Sequence, residues 1–330
     1  MLVAGILLVV VVYILVRWLL GLPRVGDYGD KYVFITGCDT GFGNLLARRL
    51  DKMGFHVFAA CFTREGADDL QKATSSKLLT VSPVDITSAE SIENAHRFVV
   101  DHLPEDKGLW AIVNNAGVGG AALGPLEWHR RDVYIDILAV NLLGMVDVTR
   151  IFLPLVRKCQ GRIVNMSSMA GRLAAVGNGL YSVSKFAVEG YSDCLRSELY
   201  RQGISVCMLE PSGFRTPLVD YTKLSQLART AFSSTSPAVQ RFYGKRYVDK
   251  FCESVKIMVD TMVCDDLNRV IDCYVHAITA KFPRARYNPG NWTVTGALAM
   301  LLLPTWMSDW IHGRLATVPE PDVNESSATR

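Results

Sequence analysis

A tyrosine and a lysine four residues apart, in Tyr181-Ser182-Val183-Ser184-Lys185, are the residue types here that most directly suggest chemistry. At that spacing both side chains lie on one face of a helix. A free tyrosine has a pKa near 10, about three units too high for a base at neutral pH. A neighbouring ammonium favours the phenolate, and a general base works best with a pKa near the operating pH. Such a pair is common by chance and gains meaning only from its company. Ser168, thirteen residues before Tyr181, offers a neutral hydrogen bond to a carbonyl or alkoxide oxygen, and Asn141 lies in the long helical stretch before it.

A glycine-rich turn, Thr36-Gly37-Cys38-Asp39-Thr40-Gly41-Phe42-Gly43, stands between a strand pattern and a helix pattern. Glycines allow a tight turn and a close backbone approach to a pyrophosphate. The helix N-terminus adds free N–H groups and a positive dipole end. Gly37, Asp39, Thr40, Gly41, Phe42 and Gly43 are therefore candidate dinucleotide contacts. An acid at the end of the second strand would bind the adenosine ribose, and a base would favour NADP. Cys61 stands where the acid is expected, 18 residues after Gly43, and the nearby Arg64 and Glu65 pull in opposite directions. Asp85, ending the third strand, is placed to hydrogen-bond the adenine. Asn114-Asn115-Ala116-Gly117 ends the fourth and contributes Asn114, Ala116 and Gly117 to the candidate cleft.

The elements that position these residues alternate along the chain. Tyr32–Thr36, His56–Cys61, Leu78–Val84, Trp110–Asn114, Arg162–Met166 and Ile204–Glu210 read as strands. Asn44–Met53, Thr87–Leu103, Val133–Cys159 and Tyr181–Arg201 read as helices, with Thr87 and Glu90 fitting a capping box. Such alternation implies a parallel sheet covered on both faces, a doubly wound, Rossmann-type α/β fold.

Composition narrows the class further. The 330 residues are 49% hydrophobic and carry a net charge of only +3, with no long Lys/Arg run, so a nucleic-acid partner is not expected. The eight cysteines include no C-x-x-C pair, so neither a metal nor a disulfide framework is expected. Leu2 to Leu22 is apolar apart from Arg17, and about 20 such residues span a bilayer core as a helix. The expected organisation is a membrane anchor at 1–23 and one α/β domain at 30–290. An apolar segment at 291–317 follows, which either meets the membrane or packs on the domain, and then a disordered tail at 318–330. Arg17, Arg24 and Lys31 all lie on the domain side of the anchor, which favours a cytosolic domain on the endoplasmic reticulum membrane.

With the glycine turn, Ser168, Tyr181 and Lys185 together, the sequence resembles the short-chain dehydrogenase/reductase family over roughly Lys31 to Phe282. It is most similar to the branch of retinol dehydrogenases and enzymes like 17β-hydroxysteroid dehydrogenase type 6. The phrases Gly161-Arg162-Ile163-Val164-Asn165-Met166-Ser167-Ser168 and Phe214-Arg215-Thr216-Pro217 carry the same likeness. The resemblance implies that Tyr181 is the general acid/base, that Lys185 binds the nicotinamide ribose and lowers the Tyr181 pKa, and that Ser168 holds the substrate oxygen. It further implies that Asn141 keeps a relay water and that Pro211 and Thr216 border the nicotinamide. The reaction implied is interconversion of a lipid alcohol and its carbonyl, with a retinoid ahead of a steroid. NAD is the preferred cofactor, with NADP left open by Arg64, and a homodimer is likewise left open. Two departures stand out: Pro211-Ser212-Gly213 where the family has Pro-Gly, and one residue more in Asn178-Gly179-Leu180 before Tyr181.

Overall fold

The structure, a computed structural model, describes residues 2–315 apart from 75–76, 120–122 and 175. Seven parallel strands form one sheet in the order β3-β2-β1-β4-β5-β6-β7. They are β1 (Tyr32–Thr36), β2 (His56–Ala60), β3 (Leu78–Val81), β4 (Leu109–Asn114), β5 (Arg162–Met166), β6 (Ser205–Leu209) and β7 (Arg286–Tyr287). Order reverses between β1 and β4, so the carboxyl ends of those strands open a crevice there. The doubly wound expectation holds. The seventh strand goes beyond it, since two residues are too few to leave a periodic signal.

Alternate residues of each strand enter opposite layers. Val33 and Ile35 pack with Leu46 and Leu50 of α2 (Gly41–Lys52), Leu70 of α3 (Arg64–Lys72) and Ile271 and Tyr274 of α10 (Asn268–Thr279). Phe34 and Ile112 pack with Ile92 of α4 (Ala89–His102), Phe152 of α6 (Met145–Cys159) and Leu195 of α7 (Gly179–Leu199). The expected helix at 133–159 is observed as α5 (Arg131–Leu138), a π-helical turn at Ala139–Gly144, and α6. By composition this stretch is long and apolar enough to cross a membrane, yet Val148, Phe152 and Val156 are in the core. The expected capping box also shifts. Ser88 caps α4 by accepting from Ser91 N, while the Thr87 hydroxyl donates to Asp85.

A third cluster is aromatic. Trp128 is enclosed by Phe232 of α8 (Tyr221–Ser233) and by Tyr243, Tyr247 and Phe251 of α9 (Pro237–Met262). Gly244 breaks α9 with φ 70°.

At the amino end, α1 (Leu2–Leu20) is a 19-residue helix, about 28 Å long at 1.5 Å per residue. Leu8, Val9, Tyr13 and Trp18 on it are exposed. The chain leaving α1 is stitched to the far end of α10. Arg24 bridges Ala280, Val25 N donates to Thr279 O at 2.8 Å, and Lys281 N donates to Pro23 O at 2.9 Å. His276 Nε2 donates to the Gly21 carbonyl at 3.0 Å, which leaves Nδ1 to accept from the Tyr287 hydroxyl at 2.8 Å. At the carboxyl end, 292–300 and 305–315 form two short helices, α11 and α12, that leave Leu302, Trp306 and Trp310 exposed. The expected tail at 318–330 lies outside the described residues.

Candidate active site

The glycine turn leads from β1 into α2. Gly37 takes φ +71° and Gly41 φ +63°, a region that favours glycine. A Cβ at Gly43 would stand 2.2 Å from the Gly37 carbonyl oxygen and 2.6 Å from Asn115 Nδ2, so only bare backbone fits. Thr40 precedes α2 in extended conformation and its hydroxyl makes no capping bond, so no side chain caps the first N–H groups there. A bare cradle facing a helix N-terminus fits the pyrophosphate of a dinucleotide.

Asn115 is absent from the expected set, yet it braces this turn. Its amide donates to Thr36 O and Gly37 O, both at 3.0 Å, and its carbonyl accepts from Tyr274 OH at 3.2 Å. Only its place in Asn114-Asn115-Ala116-Gly117 hinted at this. Ala116 N donates to Thr36 Oγ1, and a Cβ on Gly37 would lie 2.8 Å from Ala116 Cα, so the ends of β1 and β4 touch. Across the crevice, Phe42 meets Phe214 edge-on at 5.7 Å, and Thr216 lies 4.0 Å from where a Gly41 Cβ would stand.

Four expected contacts are committed elsewhere. The Asp39 carboxylate accepts from Phe62 N, Thr63 N and Thr63 Oγ1 at 2.7–2.9 Å, so it fastens the loop after β2. Gly66 makes room for it, since a Cβ there would meet Asp39 Oδ1 at 2.8 Å. Cys61 is fully buried in the core, and burial pushes its thiol up to about 12. Asp85 accepts from Thr87 N and Oγ1. The Asn114 amide donates to Thr149 and Asn165, beneath the sheet's end. Side chains of a strand's last residues alternate between cleft and layer, and position at the end alone does not say which. Arg64 opens α3 and is exposed beside Glu65.

The reacting residues converge. The Tyr181 phenol lies near enough to Ser168 for the serine to pull its pKa down. The Ser168 hydroxyl accepts from Ala170 N at 3.1 Å and donates to the Pro211 carbonyl at 3.4 Å. Lys185 is buried, donates to Met166 O at 3.0 Å, and holds its ammonium 5.7 Å from the Tyr181 ring centre. Asn141 sits in the π-helical turn. Its Oδ1 accepts from Val118 N, and its Nδ2 donates to Val118 O and Ser184 Oγ. Gly117 lies between, its Cβ position 3.2 Å from Asn141 Oδ1 and 3.6 Å from Lys185 Nζ. The electrostatics differ from expectation. Burial pushes Tyr181 up to about 12, against the pull of Ser168, and pushes Lys185 down to about 8. In the protein by itself, desolvation outweighs the attraction between phenolate and ammonium.

Both departures are absorbed locally. Ser212 packs against Gly290, whose Cβ would come 2.3 Å from Ser212 Oγ, and Ser212 N donates to Pro289 O. The longer loop before Tyr181 turns at Gly177, with φ +76°, and its carbonyl accepts from Gly124 N at 2.8 Å.

The short chain dehydrogenase family model matches residues 31–226. This chain belongs to the short chain dehydrogenases. The dehydrogenase is 45% identical to retinol dehydrogenase 7 of Mus musculus, over 86% of this chain and 88% of that protein. It is 43% identical to 17-beta-hydroxysteroid dehydrogenase type 6 of Bos taurus, over 92% of this chain and 94% of that protein. Its fold matches a short chain dehydrogenase/reductase from Burkholderia phymatum in complex with NAD. The TM-score is 0.67 at 21% identity, covering 87% of this dehydrogenase and 97% of that chain.

Proposed function

We propose that this dehydrogenase oxidises and re-forms a lipid alcohol, retinol first, at Ser168, Tyr181 and Lys185, with NAD preferred over NADP. The observation that carries the reading is the convergence of Ser168 and Tyr181 with the Lys185 ammonium 5.7 Å from the Tyr181 ring, below a glycine cradle that fits a dinucleotide. Ser168 and Tyr181 hold the substrate oxygen. The Tyr181 hydroxyl, deprotonated, takes the alcohol proton, and in the reverse direction returns it to the carbonyl oxygen. The nicotinamide, when bound, supplies the hydride acceptor and a positive ring. Lys185 reaches the ribose and adds the positive charge that favours the phenolate. Asn141 fixes the Val118 turn and the Ser184 hydroxyl at the floor of the site. The aromatic cluster around Trp128 supports an apolar substrate.

The relative named for 17-beta-hydroxysteroids, nearly as similar as the one named for retinol, supports a steroid as the second reading. The experiment is turnover of a retinol and hydroxysteroid panel with each cofactor. Retinol with NAD should have the highest kcat/KM. A clear steroid preference moves the assignment to the second reading, and no turnover of either removes both. On the cofactor side, Glu65 repels a 2′-phosphate and Arg64 attracts one. If NADP wins, Arg64→Ala should abolish that preference.

The anchor reading is part of the same proposal. Helix α1, with its exposed apolar side chains, lies in the endoplasmic reticulum membrane, and the chain continues directly into the stitch at Gly21–Val25. A membrane tether suits a water-insoluble alcohol. The basic residues after α1 favour a cytosolic domain. Of the three sequons, Asn165 is fully buried and bonded to Asn114 and Ser192, so it takes no glycan in the folded protein. Asn291 donates to Met262 O, and Asn324 lies outside the described residues. Protease added to intact microsomes should digest the domain. Full protection, or a glycan at Asn291 or Asn324, would reverse the orientation.

A further inference from the structure

A network of buried charges lies behind Lys185. One helical turn on along α7 is Glu189, on the same face, and both residues are buried. Arg286 of β7 donates to Glu189 Oε2 and to Glu210 Oε1, the latter just after β6, and to Asp193 Oδ2 at 2.6 Å. Arg172 reaches both Glu210 oxygens at 3.4 Å, and Asn288 donates to Glu210 Oε2 at 2.6 Å. Counted with Lys185 and with Arg196, which pairs with Asp193 at 2.9 Å, the group holds three carboxylates and four cations. Burial raises the pKa of Glu189, and the guanidinium of Arg286 pulls it back toward the ionised form.

We propose that Glu189, anchored by Arg286, is a positioning residue that keeps the Lys185 side chain charged beside Tyr181. This rests on Lys185 serving as the site's cation, as set out above. Lys185 needs such a partner. It is buried and its one hydrogen bond here goes to a neutral carbonyl, Met166 O, which cannot offset the loss of water around a charge. Other charged and titratable groups lie on α7 and on the elements beside it. Tyr181 and Glu189 share its own helix. Helix α5 contributes Arg131, Asp132 and Asp136, all exposed to water. The π-helical turn carries no charged residue. Arg172 follows the short turn after Ser168, and Glu210 at the end of β6 is already held by Arg172, Arg286 and Asn288. Glu189 is thus the carboxylate that offsets the desolvation of Lys185, and it raises the pKa that burial lowers.

Oxidation requires Tyr181 deprotonated and Lys185 protonated, so activity should fall at alkaline pH as Lys185 loses its proton. Glu189→Gln removes the carboxylate and keeps the shape. The Lys185 pKa then drops, and the alkaline limb of kcat/KM should move down by roughly one pH unit. That is a loss of about tenfold at a pH above both values, and little at pH below them. Dinucleotide affinity, measured calorimetrically without substrate, should weaken with pH over the same lowered range. Glu189→Asp keeps the charge and should restore the limb toward its original position, which a packing role would not do. If Glu189→Gln does not fold, Glu189→Gln combined with Arg286→Met removes the pair together and leaves Glu210 with Arg172 and Asn288. A downward shift smaller than that of Glu189→Gln alone is expected there, since a positive charge leaves with the negative one. A folded variant with an unmoved alkaline limb overturns the proposal. Failure of the underlying reading looks different: wild-type enzyme would then have no alkaline limb that Lys185→Arg displaces upward.

Discussion

Tyr181→Phe should lower turnover by about 10²–10⁴-fold while dinucleotide binding stays nearly unchanged. The substitution deletes one oxygen and keeps the ring. In the proposed reaction that oxygen carries the proton, and phenylalanine offers no replacement. Lys185 cannot take over the proton, because its ammonium is turned to the Met166 carbonyl. The α7 face is unaltered, so melting temperature should change little. Steady-state kinetics on the purified variant, with dinucleotide titration as the folding control, check this. Turnover close to wild type would remove Tyr181 from the reaction.

Lys185→Ala should harm both affinity and rate. It deletes the cation beside the Tyr181 ring, which in the proposed reaction also holds the ribose. The sign of the pH effect follows from the environment. Burial already lifts Tyr181 to about 12. Without the ammonium the phenolate is harder still to form, so the acid limb of oxidation moves to higher pH and residual activity grows as pH rises. A pH–rate profile of the variant that superposes on wild type would mean that the two groups are not coupled. Lys185→Ala also empties a buried position beside the Met166 carbonyl, so a modest loss of thermal stability should accompany the kinetic defect.

Much of the site was legible because its signals are local. A strand, a glycine turn and a helix follow one another within about twenty residues, and each glycine there answers a backbone requirement that no other residue meets. Strands β1 and β5 match the expected bounds, since a parallel strand covered on both faces is a continuous apolar run. Tyr181 and Lys185 declare themselves by helical spacing alone. What local pattern could not supply is direction. Asp39, Cys61, Asp85 and Asn114 all lie at the right strand ends, yet their side chains bind the β2 loop, the core, an adjacent turn and a neighbouring strand. The π-helical turn at Asn141 also leaves no mark in the residue pattern.

The sequence by itself determined the doubly wound sheet, the family and the identity of the groups that converge, because the alternation of strands and helices and the turn chemistry are written in periodicity and in glycine. Only the tertiary structure decided which side chains face the crevice and which charges stand behind it. Arg286 lies 97 residues after Glu189, on a strand of two residues, and nothing in the intervening sequence announces that they meet. Desolvation of Lys185 and Tyr181, and its relief by Glu189, depend on what surrounds them in space, and burial of a charge is a property of the packed interior rather than of neighbours along the chain.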